Sequence, residues 1–361
     1  MMKLRLINLT KSMPMLAAAG LLLSALSAYG QDADDNAAVE RAPDYFLDTP
    51  QTNKYAVIMT GPTVGDENVS QFRQWAFSLH DILIRDYGYT SDGITLLYDD
   101  GSTDMPGGER IDGACDIAGI EQGLEALAQQ VETGDQVTLY LIGHGSGAEE
   151  EAKFNIVGPD VTGPEFARLL DPFAQQDVVI VNTTSASYGF STALSSEGRV
   201  VISSTRSPSE RYDPVFSRYF IEALDRRNGD RDKNNRVSML EAFEYAKLSV
   251  NQFYEDQGRL ASEHAGLDDN GDAMFALDPA VDGADGRLAE IAYIDTMEND
   301  TAGLDEQGLS LKARMQELER EIFILRGRKA DYLEADYWQR LEALLVDLAR
   351  TTGRFNDYVT Q

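Results

Sequence analysis

The chain has 361 residues, 43% hydrophobic and 25% charged. That is enough for one large domain with an appendage, or for two domains, and for a packed core. Its 61 acidic residues outweigh 31 basic ones, for a formal net charge of −30. Such a surface repels nucleic acid and anionic lipid and argues against both as partners, while leaving carboxylates free for solubility or for holding Ca²⁺. The one cysteine, Cys115, excludes an internal disulfide, so stability must come from the core or from bound metal.

In chain order, Lys3, Arg5 and Lys11 precede an apolar run at 15–26 that is too short to span a bilayer well. Ala28 and Gly30 then put small residues at the −3 and −1 positions before Gln31. Residues 1–30 read as a signal peptide, which makes the protein exported, periplasmic or extracellular, with no stable membrane span after cleavage. An uncleaved anchor is the alternative. Residues 31–52 are acidic and aperiodic and read as a disordered leader.

Across 53–285 strands and helices alternate. Apolar runs at 55–59, 94–98, 137–142, 178–181 and 200–203 read as strands, with a short extra strand or hairpin at 154–157. Phe72, Trp75, Leu79, Ile82 and Leu83 recur at helical spacing up to a stop at Gly88, and Ile117, Ile120, Leu124, Leu127 and Val131 do so up to Gly134. Thr162 and Glu165 form a capping box for a helix to residue 170, and a further helix covers 215–224. The predicted fold class is α/β, a parallel sheet sandwiched by helices. From 286 to 361 the pattern changes. Leu311, Met315, Leu318, Ile322 and Leu325 form a coiled-coil seam, and Trp338, Leu341, Leu345 and Leu348 form a second. The expectation is a C-terminal helical hairpin, which packs on itself or on the main domain, or serves as a docking or oligomerisation arm.

The third strand runs into Gly143-His144-Gly145-Ser146. The fourth runs into Asn182-Thr183-Thr184-Ser185-Ala186-Ser187-Tyr188-Gly189. Strand ends of an open α/β sheet are where ligands bind, and here they offer a base and a cluster of hydroxyls. His80 reads as a packed or surface residue and His264 as part of a polar loop. Cys115 stands next to carboxylates that raise a thiol's pKa, which argues against a nucleophilic role. Serine as a nucleophile needs a base oriented by a third group; Asp66, Asp99 and Glu149 are the carboxylates considered for it.

Leu141-Ile142-Gly143-His144-Gly145-Ser146, then Val200-Val201-Ile202-Ser203-Ser204-Thr205-Arg206-Ser207 with Glu210, then the helix from Phe216, resemble the caspase–legumain clan of cysteine peptidases, the bacterial legumain-like (C13-type) branch above all. The resemblance covers roughly residues 54–254. It implies a caspase-like sheet, with a histidine after one core strand and a Cys-x-Ser-Gly loop after the next. It gives His144 the role of base, Gly145 a place in the oxyanion turn, and Ser204, Thr205, Arg206 and Glu210 places along a substrate cleft. The nucleophilic position falls on Ser185, or on Thr184 one residue earlier. Either way an oxygen stands where the family has sulfur, and a hydroxyl is a far weaker nucleophile beside a histidine than a thiol. Tyr188 replaces the glycine of the turn, and Thr60-Gly61-Pro62-Thr63 stands where legumain-like enzymes carry an Arg-His pair. Two functions follow: an impaired peptidase homologue that binds a peptide or protein partner, and a working hydrolase using Ser185 or Thr184 with His144.

Residues 230–241 fit a twelve-residue EF-hand loop. Asp230, Asp232, Asn234, Ser238 and Glu241 supply side-chain oxygens, Arg236 a backbone carbonyl, and Val237 the apolar eighth position. Asn235 takes the place of the usual glycine and tolerates positive φ better than most residues. The implied cofactor is Ca²⁺, and a Ca²⁺-stabilised structural protein of the cell envelope is the third functional class. Residues 268–272 make a second acidic turn without a glutamate at its twelfth position.

Overall fold

β-Branched and aromatic residues dominate the apolar runs, and they form the strands of one sheet. A computed structural model describes residues 44–360 except residue 64, with the side chains of residues 66–69 also outside the description. The signal segment at 1–30 and most of the leader therefore lie outside the described residues. The main elements are β1 (Lys54–Thr60), α1 (Asp66–Tyr87), β2 (Ile94–Tyr98), α2 (Ile117–Ala128) and β3 (Gln136–Ile142). Three two-residue strands follow, β4 (Gly145–Ser146), β5 (Lys153–Phe154) and β6 (Val161–Thr162), then α3 (Gly163–Leu169), β7 (Asp177–Asn182), α4 (Ser187–Thr192) and β8 (Arg199–Ser203). The chain continues through α5 (Phe216–Leu224), α6 (Met239–Asp256), β9 (Gly266–Asp268), α7 (Arg287–Ile291) and α8 (Met297–Thr301), to α9 (Glu306–Gly327) and α10 (Glu334–Val359).

The sheet has six strands in the order β2-β1-β3-β7-β8-β9. Every pairing is parallel except β8 with β9. The class is thus α/β. The antiparallel edge strand β9 was not expected, because three residues ending in an aspartate carry no strand pattern. Strand residues alternate between two apolar layers. Ala56, Ile58, Tyr140, Val179, Val181 and Ile202 pack against α1, α5 and α6. Val57, Met59, Leu139, Leu141, Ile180 and Val201 pack against α2, α3 and α4. Both faces are covered, as a parallel sheet requires. Gly88 adopts left-handed φ 75° and returns its N–H to the Leu83 carbonyl, which ends α1 where the glycine predicted. The Thr162–Glu165 capping box is formed at α3.

Two expectations need correction. Residues 44–52, read as part of a disordered leader, are docked: Tyr45 and Phe46 are buried in the main core, and the Phe46 N–H donates to Asp177 at 2.6 Å. Two aromatics side by side offset the acidic composition that suggested disorder. The helical hairpin starts at Glu306 rather than near 286, since Leu288, Ile291 and Ile294 belong to the main core. Within the hairpin, α9 buries Met315, Leu318, Ile322 and Leu325 as its seam predicts. In α10 the seam holds at Leu341 and Leu348 but not at its other two positions: Trp338 is 44% exposed with Tyr337 buried in its place, and Leu345 is exposed while Leu344 packs inward. No helix among the described residues is long and apolar enough to cross a membrane.

Candidate functional site

Register fixes the geometry of the sheet's rim. Leu141 of β3 pairs with Asn182 of β7, so the loops leaving these strands emerge side by side at the same end. They touch through their backbones. A Cβ built on Gly145 would lie 2.2 Å from the Ser185 carbonyl oxygen. Only glycine fits there.

His144 stands at this rim, its side chain 23% exposed. Its Nδ1 lies 2.9 Å from Asp213 Oδ1, and its ring meets Phe72 of α1 edge-on at 5.1 Å. A carboxylate at Nδ1 holds the ring in one orientation, the arrangement that a histidine acting beside a serine requires. The carboxylate is Asp213, which sequence reading did not name. Asp99 accepts the Thr63 hydroxyl at 2.5 Å instead, Glu149 is exposed at positive φ, and the Asp66 side chain lies outside the described residues.

The two candidate nucleophiles are tied down. Ser185 is 3% exposed; its Oγ accepts from the Gly145 N–H at 3.2 Å and donates to the Gly145 carbonyl at 3.3 Å. Thr184 is 1% exposed and donates its hydroxyl to Asn182 Oδ1 at 2.8 Å. Asn182 Oδ1 also accepts the Thr184 N–H, and its amide donates to Ser191. Between them and the start of α4, Ala186 holds φ 49°, a left-handed conformation uncommon outside glycine.

The residues assigned to a substrate cleft divide in two. Ser204 and Thr205 are fully buried. Ser204 Oγ donates to the Thr184 carbonyl at 2.8 Å, and Thr205 Oγ1 lies 2.9 Å from Ser187 Oγ and accepts the Tyr188 N–H. They brace the hydroxyl turn from beneath. Arg206 is exposed and Glu210 is the joint: it accepts the Arg206 N–H and the His264 N–H, pairs with the His264 ring at 2.7 Å, and takes the Ala186 N–H on its carbonyl. His264, read as a loop residue, therefore helps hold the Ser185 turn. His80 pairs with Asp81. Cys115 is fully buried; burial, with Asp116 and Asp99 nearby, pushes its thiol well above the ordinary range. It is not a nucleophile.

The loop at 230–241 brings together three of its expected ligands. Donor oxygens of Asp230, Asp232 and Glu241 lie within 4.8 Å of one another. Asn235 takes φ 67°, the turn that the missing glycine would otherwise make. Asp230 is 9% exposed, and its Oδ1 is buried without a hydrogen-bond partner. Burial, then Glu241 and Asp230, push the Asp232 carboxyl up to about 6. An orphaned buried oxygen among crowded carboxylates fits a hard cation. Two others are engaged elsewhere: Asn234 Oδ1 accepts the Arg236 N–H, and Ser238 caps α6 through Glu241.

No family model matches the chain, and no curated protein matches it. Among solved structures it is similar to protein GSU0716 from Geobacter sulfurreducens, at 11% identity and a TM-score of 0.38, covering 60% of this chain and 92% of that one. It is similar also to the Drosophila initiator caspase Dronc, at 11% identity and a TM-score of 0.34, covering 61% of this chain and 80% of that one.

Proposed function

We propose that this chain is an exported caspase-like domain turned from peptide cleavage to peptide or protein binding, with Ca²⁺ held by its 230–241 loop. The observation that carries the reading is the Ser185 hydroxyl. It is spent on both backbone groups of Gly145 and shielded from solvent, whereas a nucleophile must present its oxygen to the substrate and its proton to the base. The caspase-like part of the reading is supported by the resemblance of residues 141–146 and 200–207 and by the adjacency of the His-Gly and hydroxyl loops on neighbouring parallel strands. Arg206, which is exposed, and His144 supply polar groups along the rim where a partner's extended segment would lie.

Serine-type hydrolysis is the second reading, and Asp213 favours it. A histidine already oriented by a carboxylate is what a serine, unlike a cysteine, requires. A fluorogenic peptide library assayed with the wild-type chain, Ser185→Ala and Thr184→Ala separates the two. No turnover that depends on either hydroxyl is expected, and any that does overturns the binding reading. The binding arm uses a peptide array with wild type and Asp213→Ala; equal, featureless signals from both would also count against it. Titration calorimetry with Ca²⁺ tests the loop, and Asp230→Asn should abolish the heat.

A further inference from the structure

We infer that a divalent cation at Asp230, Asp232 and Glu241 locks the C-terminal helical hairpin onto the α/β body. The inference rests on the cation reading above and extends it to what the cation controls. Beyond the clustered carboxylates, the buried and unpartnered Asp230 Oδ1 points to an absent positive ligand at this loop.

The loop is also one of the places where the hairpin is tied down, beside Phe323 in the main core and Arg320 on the Tyr45 and Phe46 carbonyls. Lys312 of α9 donates to the Asn234 carbonyl at 3.2 Å. Asn356 of α10 donates to the Lys233 carbonyl at 3.3 Å. Both acceptors lie in sequence between the acidic donors at 232 and 241, so the same turn that gathers the carboxylates presents these carbonyls. The loop's Arg236, 3% exposed, reaches the hairpin as well, with Nη1 3.6 Å from Glu319 of α9. A cavity of about 330 Å³ separates the two parts, lined by Asp232 and Glu241 on one side and Glu319, Ile322, Leu345 and Leu348 on the other. Three carboxylates within 4.8 Å repel one another. A cation removes that repulsion and holds the turn in the shape the hairpin binds. By linkage, the docked hairpin raises cation affinity by the same factor that the cation raises docking.

The test is amide hydrogen exchange of α9 and α10 on the full chain, in millimolar Ca²⁺ and in chelator, beside calorimetry of Ca²⁺ binding. Ca²⁺ should slow exchange across both helices by about fivefold or more, and Asp230→Asn should show the fast rates in either condition. Asn356→Ala, which removes one exposed tie without touching the carboxylates, should weaken Ca²⁺ binding several-fold. Calorimetric binding with unchanged hairpin exchange overturns this inference and leaves the cation reading standing. Absence of any binding heat overturns both.

Discussion

Gly145 is the residue on which the rim turns, since its missing side chain lets the histidine loop and the hydroxyl loop share backbone contacts. In Gly145→Ala the new methyl meets the Ser185 carbonyl. Overpacking against backbone should cost about 1–3 kcal/mol, seen as a lower melting temperature. Asn182 is the second such residue. Asn182→Ala strands the buried Thr184 hydroxyl and N–H and should cost about 1–3 kcal/mol in urea melts; an unchanged midpoint would mean that the turn does not depend on it. Legibility at this scale was uneven. His144 stood out because two glycines bracket it at a strand end. Asp213 gave no signal, because it reaches the ring from a loop 69 residues further along the chain and nothing local marks it. The burial of Ser204 and Thr205 was equally hidden, since small hydroxyl residues are as common in exposed turns as in braced ones.

The helices and strands were more legible, for a physical reason. Five of the six sheet strands are apolar runs that must be buried on both faces, so composition alone marks them. β9 escapes because its middle residue, Leu267, is the only apolar one and its pairing is set by β8. The α10 stripe was misplaced at its first position because Tyr337 and Trp338 are adjacent and both aromatic; the tyrosine turns inward and the tryptophan lies under Lys329. Gly353 sits within α10 with open space where a side chain would go. Gly353→Ala should therefore stabilise that helix by about 0.5–1 kcal/mol, raising the thermal midpoint. The acidic turn after β9 has its own pH dependence. Burial, reinforced by Asp269, Asp268 and Asp272, pushes the Asp285 carboxyl up to about 6. The folded state then holds this proton more tightly than the unfolded chain. Its contribution to stability is full below about pH 4 and is lost as pH rises towards 6. Asp285→Asn should raise the melting temperature by about 2–4 °C at pH 7–8, with the gain vanishing by pH 4. A gain independent of pH would exclude this cause.

Across the whole molecule, charge inside the fold joins segments that are distant in sequence. Arg236 faces Asp48 from the N-terminal segment, Asp300 from α8 and Glu319 from α9, with its guanidinium 3.5 Å above the Tyr293 ring. Lys54 pairs with Asp48 and Lys312 with Asp300. Removing the central cation leaves buried carboxylates uncompensated. Arg236→Met should cost about 3–5 kcal/mol and lower the stability of body and hairpin together in a single transition. Two separate transitions would show that the hub does not couple them. None of this network could be read from the sequence, because buried and solvated charges look alike in a chain with 61 acidic residues.

The sealed thiol offers a way to watch these events. Cys115 is held between β2 and α2, its N–H on the Asp99 carbonyl and its own carbonyl on the Val157 N–H. An alkylating reagent can reach the sulfur only when that segment opens, so labelling kinetics in native buffer become a clock for local unfolding, with one site per molecule and no engineered probe. Substitutions confined to α10 should leave the clock untouched, and those that loosen the sheet should make it run fast.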